Sequence, residues 1–168
     1  PRDAYTRELL AAVPRIGGGP PRPAPAAREV LVRFDDGSVV AMGENRSGQL
    51  GRPKDIRQFF PAQNVDLPKR ALQVDASSET SYALLEDGTV WAWGRGYEGQ
   101  LGMPITGTER STPMPVPGLA NVRRIHAVNN ECFAVLDDGT VRVWGDVHRA
   151  LRPRGYDKQY VMPPAPFG

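Results

Sequence analysis

Short apolar runs alternate with polar turns along most of the chain, and the alternation has the period of two expected for strands. Leu31 to Phe34, Tyr82 to Leu85 and Phe133 to Leu136 each lead into an acidic-Asp-Gly turn. Val39 to Met42, Val90 to Trp93 and Val141 to Trp144 follow those turns. An Asp-Gly pair between two apolar runs is a strong hairpin signal, because Asp and Gly tolerate the positive φ that tight turns need. The three turns are Asp35-Asp36-Gly37, Glu86-Asp87-Gly88 and Asp137-Asp138-Gly139, and their glycines stand 51 residues apart. The hairpins therefore belong to a repeat.

Other anchors keep the same interval. Gly43, Gly94 and Gly145 close the exit strands, and Gly48-Gln49-Leu50-Gly51 recurs as Gly99-Gln100-Leu101-Gly102. A strand preceding each hairpin is expected at Ala71 to Ala76 and again at Val122 to Ala127. A fourth is expected at Pro113-Met114-Pro115-Val116 and at Pro164-Ala165-Pro166-Phe167. Proline cannot donate to a neighbouring strand, so this fourth strand lies at a sheet edge. Four short antiparallel strands with the proline-bearing one outermost make a propeller blade.

The chain is thus expected to be all-β, a partial β-propeller of three blades, with units of about 16–66, 67–117 and 118–168 forming a domain over 28–168. Residues 1–27 stand apart. Asp3 to Val13 contains helix-forming Glu8, Leu9, Leu10, Ala11 and Ala12, and a short helix is expected there. Gly17-Gly18-Gly19 and Pro20-Pro21-Arg22-Pro23-Ala24-Pro25 follow it as a linker. That proline run occupies the place of the first strand of blade one and reads as polyproline, so blade one is expected to lack an inner strand.

Within the exit strands, Val39, Val90 and Val141 with Ala41, Ala92 and Val143 form a constant apolar column and read as core. Met42, Trp93 and Trp144 form a bulky column expected to pack between blades. Val40, Trp91 and Arg142 share no residue type, which is how a binding surface on a repeated scaffold would vary. Arg95, Tyr97 and Glu98 in the following loop add an aromatic and an Arg, residues favoured as interface anchors. Trp91, Arg95, Tyr97, Glu98 and Arg142 are the candidate interaction residues. Gly37, Gly43, Gly51, Gly88, Gly94, Gly102, Gly139, Gly145, Trp93 and Trp144 are the structural anchors.

Candidate chemistry is sparse. Gly94-Arg95-Gly96-Tyr97-Glu98-Gly99 matches the dinucleotide-binding pattern and follows a strand, but Gln100-Leu101-Gly102-Met103-Pro104 cannot open the helix that would hold a pyrophosphate. His126 and His148, the two histidines, show no metal spacing and no serine nucleophile beside them. The acidic pairs recur because the turn recurs. Cys132 is the only cysteine, which leaves no disulfide framework and no cysteine metal site. No catalytic residue, cofactor or metal is expected. The 168 residues carry a formal net charge of +2, too weak for a dedicated nucleic-acid surface, so no nucleic acid is expected as partner. Arg149-Ala150-Leu151-Arg152-Pro153-Arg154 is a basic stretch read as a solvated loop. No apolar run approaches the ~18 residues of a membrane span. Abundant Ala, Arg, Pro and Gly point to a GC-rich, bacterial coding sequence.

The run Glu86-Asp87-Gly88-Thr89-Val90-Trp91-Ala92-Trp93-Gly94, followed by Gly99-Gln100-Leu101-Gly102, resembles the repeat of the regulator of chromosome condensation family over about residues 28 to 168. Met42 stands where the family pattern has Trp. Arg149-Ala150-Leu151-Arg152 replaces the Gly-Gln-Leu-Gly loop, and Ser77 and Val128 replace a glycine after the first strand. The resemblance implies a seven-bladed ring, of which three units are present. A noncatalytic interaction or scaffold module, completed by another protein chain or by self-association, is the first expectation. An enzyme inhibitor or regulator, as relatives that bind β-lactamases are, comes second. Guanine-nucleotide exchange on a small GTPase comes third, since three blades offer little of that surface.

Overall fold

The computed structural model describes residues 29–54, 60–77, 79–103, 108–148, 151–152 and 160–167. The strands run β1 (Glu29–Arg33), β2 (Val39–Gly43), β3 (Phe60–Asn64), β4 (Ala71–Ser77), β5 (Thr80–Leu85), β6 (Val90–Arg95), β7 (Glu109–Pro115), β8 (Val122–Val128), β9 (Glu131–Leu136), β10 (Val141–Gly145) and β11 (Val161–Pro166). They form three antiparallel meanders: β1-β2-β3, β4-β5-β6-β7, and β8-β9-β10-β11. The repeat therefore builds one sheet per unit, as its alternation demands, with the proline-bearing β7 and β11 at the edges of their sheets. Among the described residues the first sheet has three strands. The expected helix at 3–13 and the proline run at 20–25 lie outside the described residues, as does most of the basic stretch at 149–154.

The hairpins form where expected, by a different division of labour. Only the glycine of each turn has positive φ: 81° at Gly37, 75° at Gly88 and 84° at Gly139. The preceding aspartate contributes its side chain. Asp36 Oδ1 accepts from the Ser38 N–H at 2.8 Å and the Ser38 hydroxyl at 2.6 Å. Asp87 does the same for Thr89, and Asp138 for Thr140. A short acceptor two residues ahead of an amide closes a local turn, so the motif requires Asp for hydrogen bonding and Gly for conformation.

The sheets pack face to face, and both apolar columns of the exit strand end up in the same kind of junction. Val39 and Ala41 of blade one bury against Trp93, Ala83 and Leu85 of blade two. Val90 and Ala92 of blade two bury in turn with Trp144, Cys132 and Ala134 of blade three. The constant column of each blade thus meets the bulky column of the next. Backbone bonds repeat across the junctions, since Ala71 N–H donates to the Gly37 carbonyl at 2.9 Å and Val122 N–H to the Gly88 carbonyl at 3.0 Å. On the inner side, the Gln73 side-chain amide spans the gap between sheets. It donates to the Ile125 carbonyl at 2.6 Å and accepts from the Ile125 N–H at 2.9 Å.

Each exit strand shifts register against its outer neighbour at the same place, between Ala41 and Gly43, Ala92 and Gly94, and Val143 and Gly145. The irregularity falls on Met42, Trp93 and Trp144, and such bulges re-aim a side chain.

Candidate protein-binding surface

The Gly-Gln-Leu-Gly loops sit on the junctions and latch them. Trp93 Nε1–H donates to the Gln49 carbonyl at 2.8 Å and Trp144 Nε1–H to the Gln100 carbonyl at 2.9 Å. Both indoles are fully buried. The same carbonyls also accept from β5: Gln49 from the Ser81 hydroxyl across the junction and Gln100 from the Tyr82 hydroxyl of its own blade, each at 2.8 Å. A buried carbonyl needs such partners because its desolvation is otherwise uncompensated.

Among the described residues the two outermost blade faces lack this cover. In blade two, Tyr82, Leu84, Val90 and Val116 are all buried by blade three. Their counterparts one repeat on, Phe133, Val135, Val141 and Phe167, are half-buried or exposed, and Phe167 reaches 40 %. Phe133 and Phe167 meet edge to face at 6.0 Å beside the small cluster of Val143, Val147 and Val161. At the other end of the array, Val30 is 38 % exposed, and Val32, Val40 and Met42 on the same face are half-buried.

Of the candidate interaction residues, Arg95, Tyr97 and Glu98 come together. Arg95 Nη2 lies 2.5 Å from Glu98 Oε1, and its guanidinium stands 5.8 Å from the centre of the Tyr97 ring, which is 43 % exposed. Gln100 fixes Glu98 from behind, accepting from its N–H at 2.8 Å and donating to its carboxylate at 2.9 Å. Residues 97–101 form turns rather than a helix, so the dinucleotide-like glycines serve chain reversal. Trp91 and Arg142 do not join this cluster. Each occupies the same repeat position in a different junction, Trp91 between blades one and two and Arg142 one blade further on. The Arg142 Nε is buried without a partner among the described residues.

Sequence reasoning missed a polar cluster beside Tyr97. The Ser47 hydroxyl lies 3.1 Å from Glu79 and 3.3 Å from Glu109, and Lys54 pairs with Glu109. Partial burial pushes the Glu109 carboxyl up, but bonds from Lys54, Ser47 and Tyr97 with the Lys54 charge outweigh it and hold the group below its ordinary range. The contacts span 32 and 62 residues, so no local pattern announced them. Glu79 also adopts φ +66°, a conformation that costs a non-glycine residue about 1 kcal/mol. Among the described residues no group of three or more His, Cys, Asp or Glu could hold a metal ion.

The regulator of chromosome condensation (RCC1) repeat matches this sequence over residues 36–84 and 87–135. The chain belongs to this family. A second form of the repeat matches residues 72–100. Both full matches begin at the Asp-Gly turn, so the family's repeat runs from the exit strand of one blade to the entering strand of the next.

The human E3 ubiquitin-protein ligase HERC2 is 32% identical over 122 residues, which cover 70% of this chain and 2% of that protein. The human regulator of chromosome condensation is 29% identical over 113 residues, 66% of this chain and 27% of the relative. Human WBSCR16 superposes with a TM-score of 0.75 at 25% identity, covering 84% of this chain and 37% of that one. Prp20p from Saccharomyces cerevisiae, whose structure was described with its binding to Gsp1p and histones, superposes at 0.72 and 19% identity, covering 86% and 37%. The two solved structures share the RCC1-like propeller fold with this chain. The chain spans well under half the length of these relatives.

Proposed function

We propose that this chain is a noncatalytic protein-binding module, a partial propeller completed by a further chain or copy that docks on an outer blade face. The observation that carries the proposal is the outer face of blade three. Its residues are repeat counterparts of those that blade two buries completely, yet Phe167 is exposed and Phe133, Val135 and Val141 are only half-buried. An apolar patch with a built-in geometric template favours a partner of blade-like shape. Prp20p, described as binding Gsp1p and histones and as bound to Kap60, is a precedent for protein binding on this fold.

Light scattering tests the reading. The account expects a mass above that of one chain, falling to a single chain in Phe133→Asp, which sets a charge on the open face without touching either internal junction. A stable, well-folded wild-type monomer with no partner would sink it.

A second reading, an inhibitor or regulator of an enzyme, draws on the exposed Tyr97 stacked beside Arg95. It would place the contact on the loop end of the blades. Alanine at Tyr97 and Arg95 separates it from the first, since neither lines an outer face.

A further inference from the structure

Trp91 stands in a cleft that the repeat does not explain. Blade two supplies Trp91, Thr112 and Pro113 as one wall, and Gly51 of blade one with Asp66 and Pro68 of the segment joining the two blades forms the other. The cavity is about 270 Å³ and open along one side, below the ~300–1,000 Å³ of sites that enclose a small molecule. It suits one ridge of an extended chain. At the next junction the same place is filled, because the counterpart of Pro68 is Leu119, which is buried in the core, and the counterpart of Trp91 is Arg142.

Three features describe what would enter. The indole of Trp91 packs by one side on the junction core, and the cleft is lined by exposed Pro68 and by Pro113, which is buried. The Trp91 N–H has no hydrogen-bond partner among the described residues, unlike those of Trp93 and Trp144, which latch the junctions. Asp66 is exposed at the rim and forms no ion pair among the described residues. An aromatic face between prolines accepts proline rings, a free indole N–H needs a carbonyl, and a lone carboxylate selects a cation. A polyproline II segment meets all three needs. Its carbonyls are unbonded, it is already extended and so loses little entropy on docking, and a basic residue beside the prolines reaches the acid.

We propose that the Trp91 cleft is a docking slot for an extended proline-rich segment, bearing Arg or Lys, of a partner protein. The proposal is independent of the docking of a blade on the outer faces, because no cleft residue lies on either of them.

A synthetic peptide with the sequence of residues 19–26, Gly-Pro-Pro-Arg-Pro-Ala-Pro-Ala, provides a probe of the right chemistry for calorimetric titration into the full chain. Saturable binding is expected, weakened at least about tenfold by Trp91→Ala. It should be weakened several-fold by Asp66→Lys, with the order restored when the peptide's Arg is replaced by Glu. The charge swap decides the matter if Trp91→Ala fails to fold. Absence of binding to wild type, or binding that neither variant changes, overturns the proposal. Binding seen only after Pro21, Pro23 and Pro25 are all changed to Ser would mean that the chain's own segment fills the slot, which overturns the assignment to a partner.

Discussion

Replacing Trp144 by Phe probes the latch between blades. The substitution removes the Nε1–H that donates to the Gln100 carbonyl at 2.9 Å. That carbonyl keeps its bond from the Tyr82 hydroxyl at 2.8 Å, so the loss lies near the lower end of a buried hydrogen bond, about 1 kcal/mol. The smaller ring leaves unfilled space in a position that is 0 % exposed, worth about 1–2 kcal/mol when the site relaxes only in part. The edge-to-face contact with Tyr82, at 6.2 Å and 71°, weakens by up to about 1 kcal/mol. The expected total is about 2–4 kcal/mol. In urea unfolding, with a slope of about 2 kcal/mol per molar, the midpoint should fall by about 1–2 M. Met42 holds the same repeat position on a half-buried face with no blade behind it among the described residues. Met42→Ala is therefore expected to cost less than about 1 kcal/mol. Equal costs for the two variants, or a Trp144→Phe midpoint within ~0.2 M of wild type, would refute the claim that the Trp column acts through the junction.

Several other consequences are measurable. At Gly145, where φ is +98°, an added Cβ would lie 2.0 Å from the Asn130 carbonyl oxygen, whereas at Gly139 it would meet nothing within 4 Å. Gly139→Ala should thus cost only the conformational strain of about 1–2 kcal/mol, and Gly145→Ala more than about 4 kcal/mol or failure to fold. Hydrogen bonds from Thr89, with the neighbouring Lys69, lower the Asp87 carboxyl to about 2. Because the folded value lies below the ordinary one of 3.8, its small stabilisation is complete above about pH 4 and fades as pH falls toward 2. Asp87→Asn should flatten that part of the urea midpoint's pH profile. Burial pushes the Cys132 thiol well above its ordinary range, so maleimide should leave it unmodified in the folded protein and label it once in denaturant.

Strands and hairpins were legible because period-two alternation and a fixed 51-residue interval report on the same geometry twice over. The edge position of β7 and β11 followed from proline alone. The role of Asp36, Asp87 and Asp138 was misread, since Asp serves tight turns either by conformation or by side-chain acceptance, and sequence does not separate the two. Trp91 and Arg142 looked like one variable surface because they share a repeat position. In the fold each faces its own junction, so the two do not form one continuous surface. The bridge from Gln73 to Ile125 and the meeting of Ser47 with Glu79 and Glu109 depend on how adjacent sheets are placed, which no local pattern encodes.

The central claim is that the outer face of blade three is covered by another chain in the working state. Ala165, half-buried on that face beside Phe133, can be changed to Cys with little loss of shape, against the silent background of Cys132. The rate of thiol labelling then reads the cover directly. The account predicts slow labelling at high protein concentration, rising on dilution and reaching the free rate when Phe133→Asp is added. A rate equal to that of a free thiol at every concentration, with no partner chain slowing it, would contradict it.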